Sequence, residues 1–201
     1  MSKQIVVAVS GASGAPYAVR LLKALVEGGA HVHLVISPHG RQLFVDELEI
    51  SDPTPQVLVG EALASSITAY PYRDVGAKLA SGSFLTDGMI ICPCSSNTLG
   101  DIASGTGANL ISRAAAVHLK EARRLILVHR EMPISQIELE NMLRISRAGG
   151  IICPASPGFY LRPKSVDDLV DFVVGKLCDL LGVPHQLNTR WVPKRSPHVQ
   201  G

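Results

Sequence analysis

The sequence predicts an α/β domain of three layers, a parallel sheet with helices packed on both faces. Five short apolar runs carry that prediction, each ending abruptly in small, hydroxyl-bearing or charged residues. They are Ile5 to Ser10 before Gly11-Ala12-Ser13-Gly14, Val32 to Ile36 before Ser37, Met89 to Cys92 before Pro93-Cys94-Ser95-Ser96-Asn97-Thr98, Leu125 to Val128 before His129-Arg130-Glu131, and Ile151-Ile152 before Pro154 to Tyr160. Unbroken Val, Ile and Leu runs of this length belong to strands buried on both faces, and parallel sheets bind ligands just beyond the carboxyl ends of their strands. A composition of 46% hydrophobic but only 4% aromatic residues agrees, because covered sheets consume branched aliphatics. The polar residues that follow the runs should therefore converge on one edge.

The elements follow in order. After the first strand, residues 16–27 carry helical spacing at Val19, Leu22, Leu25 and Val26, and Gly28-Gly29 stops the helix. The strand at His31 to Ile36 completes a βαβ unit with a right-handed crossover. Residues 38–87 have no clear periodicity; Pro53 and Pro55 mark a loop, a short strand is expected at Ile67 to Tyr70, and a helix is expected before Gly88. Alternation then resumes, with a strand to Cys92, helices over 96–103 and 110–122, and a strand at Leu125 to Val128. Ser135-Gln136-Ile137-Glu138 is a capping box opening a helix that Gly149-Gly150 ends, and Ser165-Val166-Asp167-Asp168 opens another that runs to Gly182.

A chain of 201 residues suffices for one well-buried domain, expected over 1–182, with 183–201 as a tail that closes the site or packs on a neighbouring subunit. A net charge of +2 is too small to imply nucleic acid. No segment approaches the ~20 apolar residues that cross a bilayer, and Ile5 to Val9 is too short for a signal-peptide core, so a cytoplasmic location without membrane contact is expected. The four cysteines, at 92, 94, 153 and 178, match neither a disulfide framework nor a zinc pattern, and no metal is assigned.

Several clusters carry chemistry. The Gly11-Ala12-Ser13-Gly14 turn leads into a helix, so its N–H groups and the helix amino end could cradle a phosphate, or the glycines could serve packing alone. It lacks the Walker lysine and the Gly-x-Gly-x-x-Gly spacing, and the second strand ends in Ser37 where a dinucleotide fold would place an acid. NAD is disfavoured and FMN fits. Arg113 and Lys120, seven apart on one helix face with no acid at i,i+4, suit an anionic ligand or a solvated basic face. Lys176 borders the apolar stripe of Leu169, Val173, Leu177 and Leu180, where it either reaches water or meets an anion. Arg130-Glu131 closes a strand and offers an ion pair or an acid/base group. The Tyr160 phenol, in Pro157-Gly158-Phe159-Tyr160, could donate to a phosphate oxygen. Trp191, the only tryptophan, lies in a Pro-rich end segment as an interface anchor.

These blocks together resemble the UbiX-type flavin prenyltransferases. The resemblance rests on Ser10-Gly11-Ala12-Ser13-Gly14-Ala15, Cys94-Ser95 with Thr98-Leu99, Arg113-Ala114-Ala115, Leu119-Lys120-Glu121, Arg130-Glu131 with Pro133, Phe159-Tyr160 with Arg162-Pro163, and Arg190-Trp191. It implies a flavodoxin-like or Rossmann-like fold, large homo-oligomers (dodecamers), and transfer of a dimethylallyl group from dimethylallyl phosphate to N5 and C6 of reduced FMN. The resemblance also implies that the prenylated FMN serves UbiD-type decarboxylases. The resemblance further implies that Gly11, Ala12, Ser13, Ser37, Ser95, Ser96, Asn97, Thr98 and Arg130 surround FMN. Arg113, Lys120, Tyr160 and Lys176 would grip the prenyl phosphate, with Ser13, Glu47, Glu131 and Lys120 as catalytic groups and Trp191 closing the site.

Two departures stand out. Ala116 occupies the place of an acid that usually follows the arginine block, and Ser96-Asn97 replaces the more usual Met-Lys or Ile-Lys. The segment Pro93-Cys94-Ser95-Ser96-Asn97-Thr98 also resembles flavin-dependent cysteine decarboxylases, which makes oxidative decarboxylation of a peptidyl or pantothenoyl cysteine a rival function. That rival predicts a catalytic histidine near the flavin and a substrate clamp, and no such clamp occurs in the sequence. A noncatalytic flavin-binding accessory subunit of a decarboxylase is the third reading; retention of three cations and Tyr160 argues against it.

Overall fold

The computed structural model describes residues 2–187 and residue 189. Six parallel strands form one sheet in the order β3-β2-β1-β4-β5-β6. They are β1 (Gln4–Val9), β2 (His31–Ile36), β3 (Ile67–Tyr70), β4 (Gly88–Cys94), β5 (Leu125–His129) and β6 (Ile151–Ile152). Ile5, Val7 and Val9 point into one apolar cluster, and Val6 and Ala8 into the other. Both sides of the strand are covered, so the sequence reads as an unbroken run instead of alternating.

On the first face lie α1 (Ala15–Glu27), α2 (Pro38–Leu48), α3 (Pro55–Val59) and α8 (Val166–Leu181). The opposite face carries α5 (Ser96–Ser104), α6 (Leu110–Lys120) and α7 (Gln136–Arg147), while α4 (Glu61–Ala64) is a single turn before β3. Six of the eight helices described start at hydroxyl or amide caps: Ser37, Thr54, Ser95, Asn109, Ser135 and Ser165 each accept a backbone N–H from the first turn, while α1 and α4 start at Gly14 and Gly60. The capping boxes expected at Ser135 and Ser165 are both formed. No described helix is long and apolar enough to cross a membrane.

Residues 38–87 contain what the sequence concealed. The strand at Ile67–Tyr70 is present, but α2 to α4 stand where the sequence shows no clear periodicity. The helix expected before Gly88 is absent; only Lys78–Ala80 makes a 3₁₀ turn. Gly76 and Gly82 leave five residues between them, too few to repay helix nucleation.

The chain runs outward from β1 to β3 in one direction and from β4 to β6 in the other, so the order reverses between β1 and β4. Two crossovers diverge there, opening a crevice at the carboxyl ends of the strands.

Candidate active site

Ser10 ties the two walls of that crevice together. Its N–H and its hydroxyl both donate to the Pro93 carbonyl, at 3.1 and 3.2 Å, and its Oγ accepts the Ser95 N–H at 2.8 Å. Ser95 in turn caps α5, accepting from the Thr98 N–H at 3.3 Å, and its hydroxyl donates to Thr98 Oγ1 at 3.1 Å. The first turn of α5 thereby presents Ser96, Asn97 and Thr98 at the mouth, with Asn97 exposed.

On the β1 side the residues gather as expected but share the work differently. The N–H groups of Gly14 and Ala15 that open α1 donate to the Glu47 carboxylate of α2, at 3.0 and 2.8 Å. The amino end of α1 is thus already satisfied by an anion of the same chain, which corrects the expectation of a free phosphate cradle at that helix end. It also brings Glu47 beside Ser13, two of the residues carried over as catalytic. Gly11 lies against His39, where any Cβ would collide with the His39 side chain. Gly11 and Ser13 are exposed and Ala12 is buried. Ser37 is buried and spends its oxygen on the N–H of Gly40 at 2.9 Å, capping α2.

Beyond β5, Arg130 is half-buried, and its Nε is buried without a hydrogen-bond partner. An unpaired guanidinium N–H of this kind costs about 1–3 kcal/mol until an oxygen meets it. This observation fits FMN, whose ring carbonyls and phosphate are acceptors, and Arg130 with the Ser95 to Thr98 turn would hold it. Glu131 is exposed beside it. The Ser96 hydroxyl lies 3.1 Å from His129 Nε2 and 3.3 Å from Glu131 Oε2, and it donates to Glu138 Oε1 of α7 in a short contact. Hydrogen bonds from Ser96 and then Ser135 hold the Glu138 carboxyl down at about 2. Burial lowers the His129 imidazole against the upward pull of Glu138 and Glu131, keeping it neutral at neutral pH.

The four residues assigned to the prenyl phosphate do not meet within one chain. Arg113 and Lys120 are exposed on α6, seven residues or about 10 Å apart along its axis. Lys120 is at the far end, 3.3 Å from Glu121 and level with the segment that precedes β4. Tyr160 and Lys176 belong to the opposite layer. The Tyr160 ring packs edge-on against Phe172 of α8 at 5.5 Å, and Lys176 follows one turn later, near Cys153, where burial pushes the thiol up against a smaller downward pull from that lysine. Within one chain the residues form two pairs on opposite faces of the sheet, because α6 and α8 cover opposite faces. Trp191 lies outside the described residues.

Ser10, His129 and Glu138 join the site although the motifs of the sequence do not mark them as site residues. Ser10 and His129 each follow or end a buried run, so a polar group closing a strand was the available signal. Glu138 was hidden by its evident role as a cap.

A flavoprotein family model matches residues 1–178. A curated relative named flavin prenyltransferase UbiX, from Halalkalibacterium halodurans, is 48% identical over 96% of this chain and 95% of its own. Among solved structures, AnUbiX in complex with FMN and dimethylallyl pyrophosphate has a TM-score of 0.87 at 39% identity, covering 96% of this chain and 100% of that one. A dodecameric FMN-dependent UbiX-like decarboxylase from Escherichia coli O157:H7 has a TM-score of 0.86 at 41% identity, covering 95% and 100%. A PPC decarboxylase variant is 18% identical with a TM-score of 0.60 and shares the fold alone. With this fold, this crevice and these relatives, the chain belongs to the flavoprotein family and, within it, to the UbiX flavin prenyltransferases.

Proposed function

We propose that this chain joins a dimethylallyl group from dimethylallyl phosphate to N5 and C6 of reduced FMN. The observation that carries the reading is Arg130 Nε, buried and unpaired beside Glu131 at the carboxyl edge where the strand order reverses. Reduced FMN would be the acceptor and supply the two nucleophilic ring positions. The bond between the allylic carbon and the phosphate oxygen breaks with both electrons leaving on phosphate. Arg113, Lys120, Lys176 and Tyr160 would meet that charge in a site with little water, where fixed cations act most strongly. No Asp-rich run that would hold a magnesium diphosphate occurs in the sequence, which favours the monophosphate donor. Bond formation at N5 and at C6 each displaces a proton; the prenyl double bond takes up one and the departing phosphate carries off the other, so a group must exchange a proton with the reacting atoms. Glu131 is that group in this reading, with Ser13 and Glu47 lining the facing wall.

Because the cations lie in two pairs on opposite faces, the reading requires that copies of the chain complete one another's sites. A dodecamer like that of the Escherichia coli relative is the proposed assembly. The tail from residue 183, with Trp191, would close the site or pack on a neighbour, leaving 1–182 as the flavin-binding domain. A UbiD-type decarboxylase is the proposed recipient of the product, and the cytoplasm the proposed location.

His129, buried near Ser96, is the one observation that favours cysteine decarboxylation. One experiment separates the two: reduce the FMN-loaded protein without oxygen, add dimethylallyl phosphate, and weigh the flavin. A flavin heavier by one isoprenyl unit is expected. Unmodified flavin, with loss of carbon dioxide from a cysteinyl peptide by the oxidised form, would replace the transferase reading with its rival.

A further inference from the structure

We propose that the Ser96 hydroxyl is the acceptor that stabilises Glu131 in its protonated form, with His129 and Glu138 fixing the direction of that hydroxyl. The proposal rests on reading Glu131 as the proton-exchanging group. It follows from donor and acceptor capacity: a serine hydroxyl carries one hydrogen and two lone pairs, and three groups surround Ser96 Oγ. Glu138 makes the closest approach. As a carboxylate it has no hydrogen to offer, so the single hydrogen of Ser96 is committed there. His129 Nε2, at 3.1 Å, must then be the donor to Ser96 Oγ, which selects the Nε2–H tautomer. One lone pair of Ser96 remains, and it faces Glu131 Oε2 at 3.3 Å.

While Glu131 is ionised, that last contact sets acceptor against acceptor and no bond forms. When Glu131 takes up a proton, its O–H donates to the waiting lone pair and the hydroxyl reaches its full three bonds. A hydrogen bond available only to the neutral acid raises its proton affinity. Three features keep the arrangement in place. Ser96 is the first residue of α5, next to its cap Ser95; His129 ends β5 and is 2% exposed; and the second oxygen of Glu138 accepts the Ser135 N–H at 2.6 Å. The charged groups facing Glu131 are Glu138 from α7 and the adjoining Arg130, and its other oxygen, Oε1, accepts the Met132 N–H at 3.2 Å, a bond that the carbonyl oxygen of the neutral acid can also accept. Ser96, His129 and Glu138 are thus positioning residues that act through Glu131.

The test uses the full-length protein without flavin, and then the FMN-loaded enzyme. Nitrogen NMR of the ligand-free protein, with His129 assigned by its loss in H129Q, should show hydrogen on Nε2. Carbon NMR of the carboxyl groups should show Glu131 titrating at lower pH in S96A, by about one unit for a lost hydrogen bond. Glu138→Gln supplies the second variant. Its amide oxygen can still accept the Ser135 N–H, so the cap survives. Its NH₂ now donates to Ser96 and turns the serine hydrogen towards Glu131, which favours the carboxylate and lowers the titration as well. Both variants should slow prenylation about tenfold, with the pH profile moved to lower pH in parallel. Hydrogen on Nδ1, or a Glu131 titration unmoved in both variants, overturns the proposal. If the NMR shifts appear but the wild-type enzyme leaves flavin unmodified, the hydrogen-bond hub stands and the transferase reading falls.

Discussion

The two ends of one sheet use polar residues in opposite ways. Towards the amino end, His33 is 1% exposed, and both ring nitrogens are engaged, Nε2 with Gln4 Oε1 at 2.9 Å and Nδ1 with the Tyr70 hydroxyl at 3.1 Å. Burial lowers its pKa to about 4 and keeps it neutral. At the carboxyl end a second buried histidine, His129, sits among carboxylates, and the neighbouring Arg130 Nε has no partner. The lesson is that burial alone does not distinguish a structural histidine from a functional one. Spare hydrogen-bonding capacity among its neighbours does: the closed network holds strands together, and the open one awaits a ligand.

The contrast can be broken in several places. The largest effect is expected from separating the copies: chains held as monomers should retain FMN in the crevice yet lose turnover altogether, checked by sedimentation alongside the mass assay. Turnover by single chains would mean that one chain supplies its own phosphate grip. Replacing Glu131 with Gln should slow turnover on the order of 10³-fold while flavin fluorescence still reports binding; an unaffected rate removes Glu131 from the chemistry.

At the closed end the readout is stability. The unfolded chain protonates His33 near its ordinary 6.5, while the folded chain resists until about 4. Its contribution is therefore whole above about 6.5 and is lost as pH falls towards 4, a difference on the order of 3 kcal/mol. Urea unfolding of wild type and H33Q across that range should show the slope only in wild type; an equal slope in both assigns the acid sensitivity elsewhere. The smallest effect is expected at the cap of α8. Ser165→Ala should cost about 1 kcal/mol by thermal melting without altering turnover, and a changed rate would tie α8 placement to the chemistry.

Much of this was legible in the sequence, for physical reasons. The buried strands announced themselves because both of their faces are covered, and α7 and α8 because serine caps open them and glycines follow them. Residues 38–87 resisted because α2 buries only Gly40, Leu43 and Phe44, and α3 and α4 span five and four residues, below the length at which periodicity emerges. The family resemblance held, and with it the fold. The geometry of the phosphate residues did not follow from spacing: Arg113 and Lys120 do share a face of α6, yet a common face does not say which copy's crevice it serves. The role of Glu47 at the start of α1 depended on a helix that the sequence did not reveal.

The clasp made by Ser10 has a temporal side. Its partners, Pro93 and Ser95, come 83 and 85 residues later. On the ribosome, β1 and β2 can pair and the glycine turn can form while Ser10 still lacks anything to hold. Nascent chains cut short before β4 would lack the wall that carries Ser95 to Thr98, so a complete crevice exists only once the later half has been made.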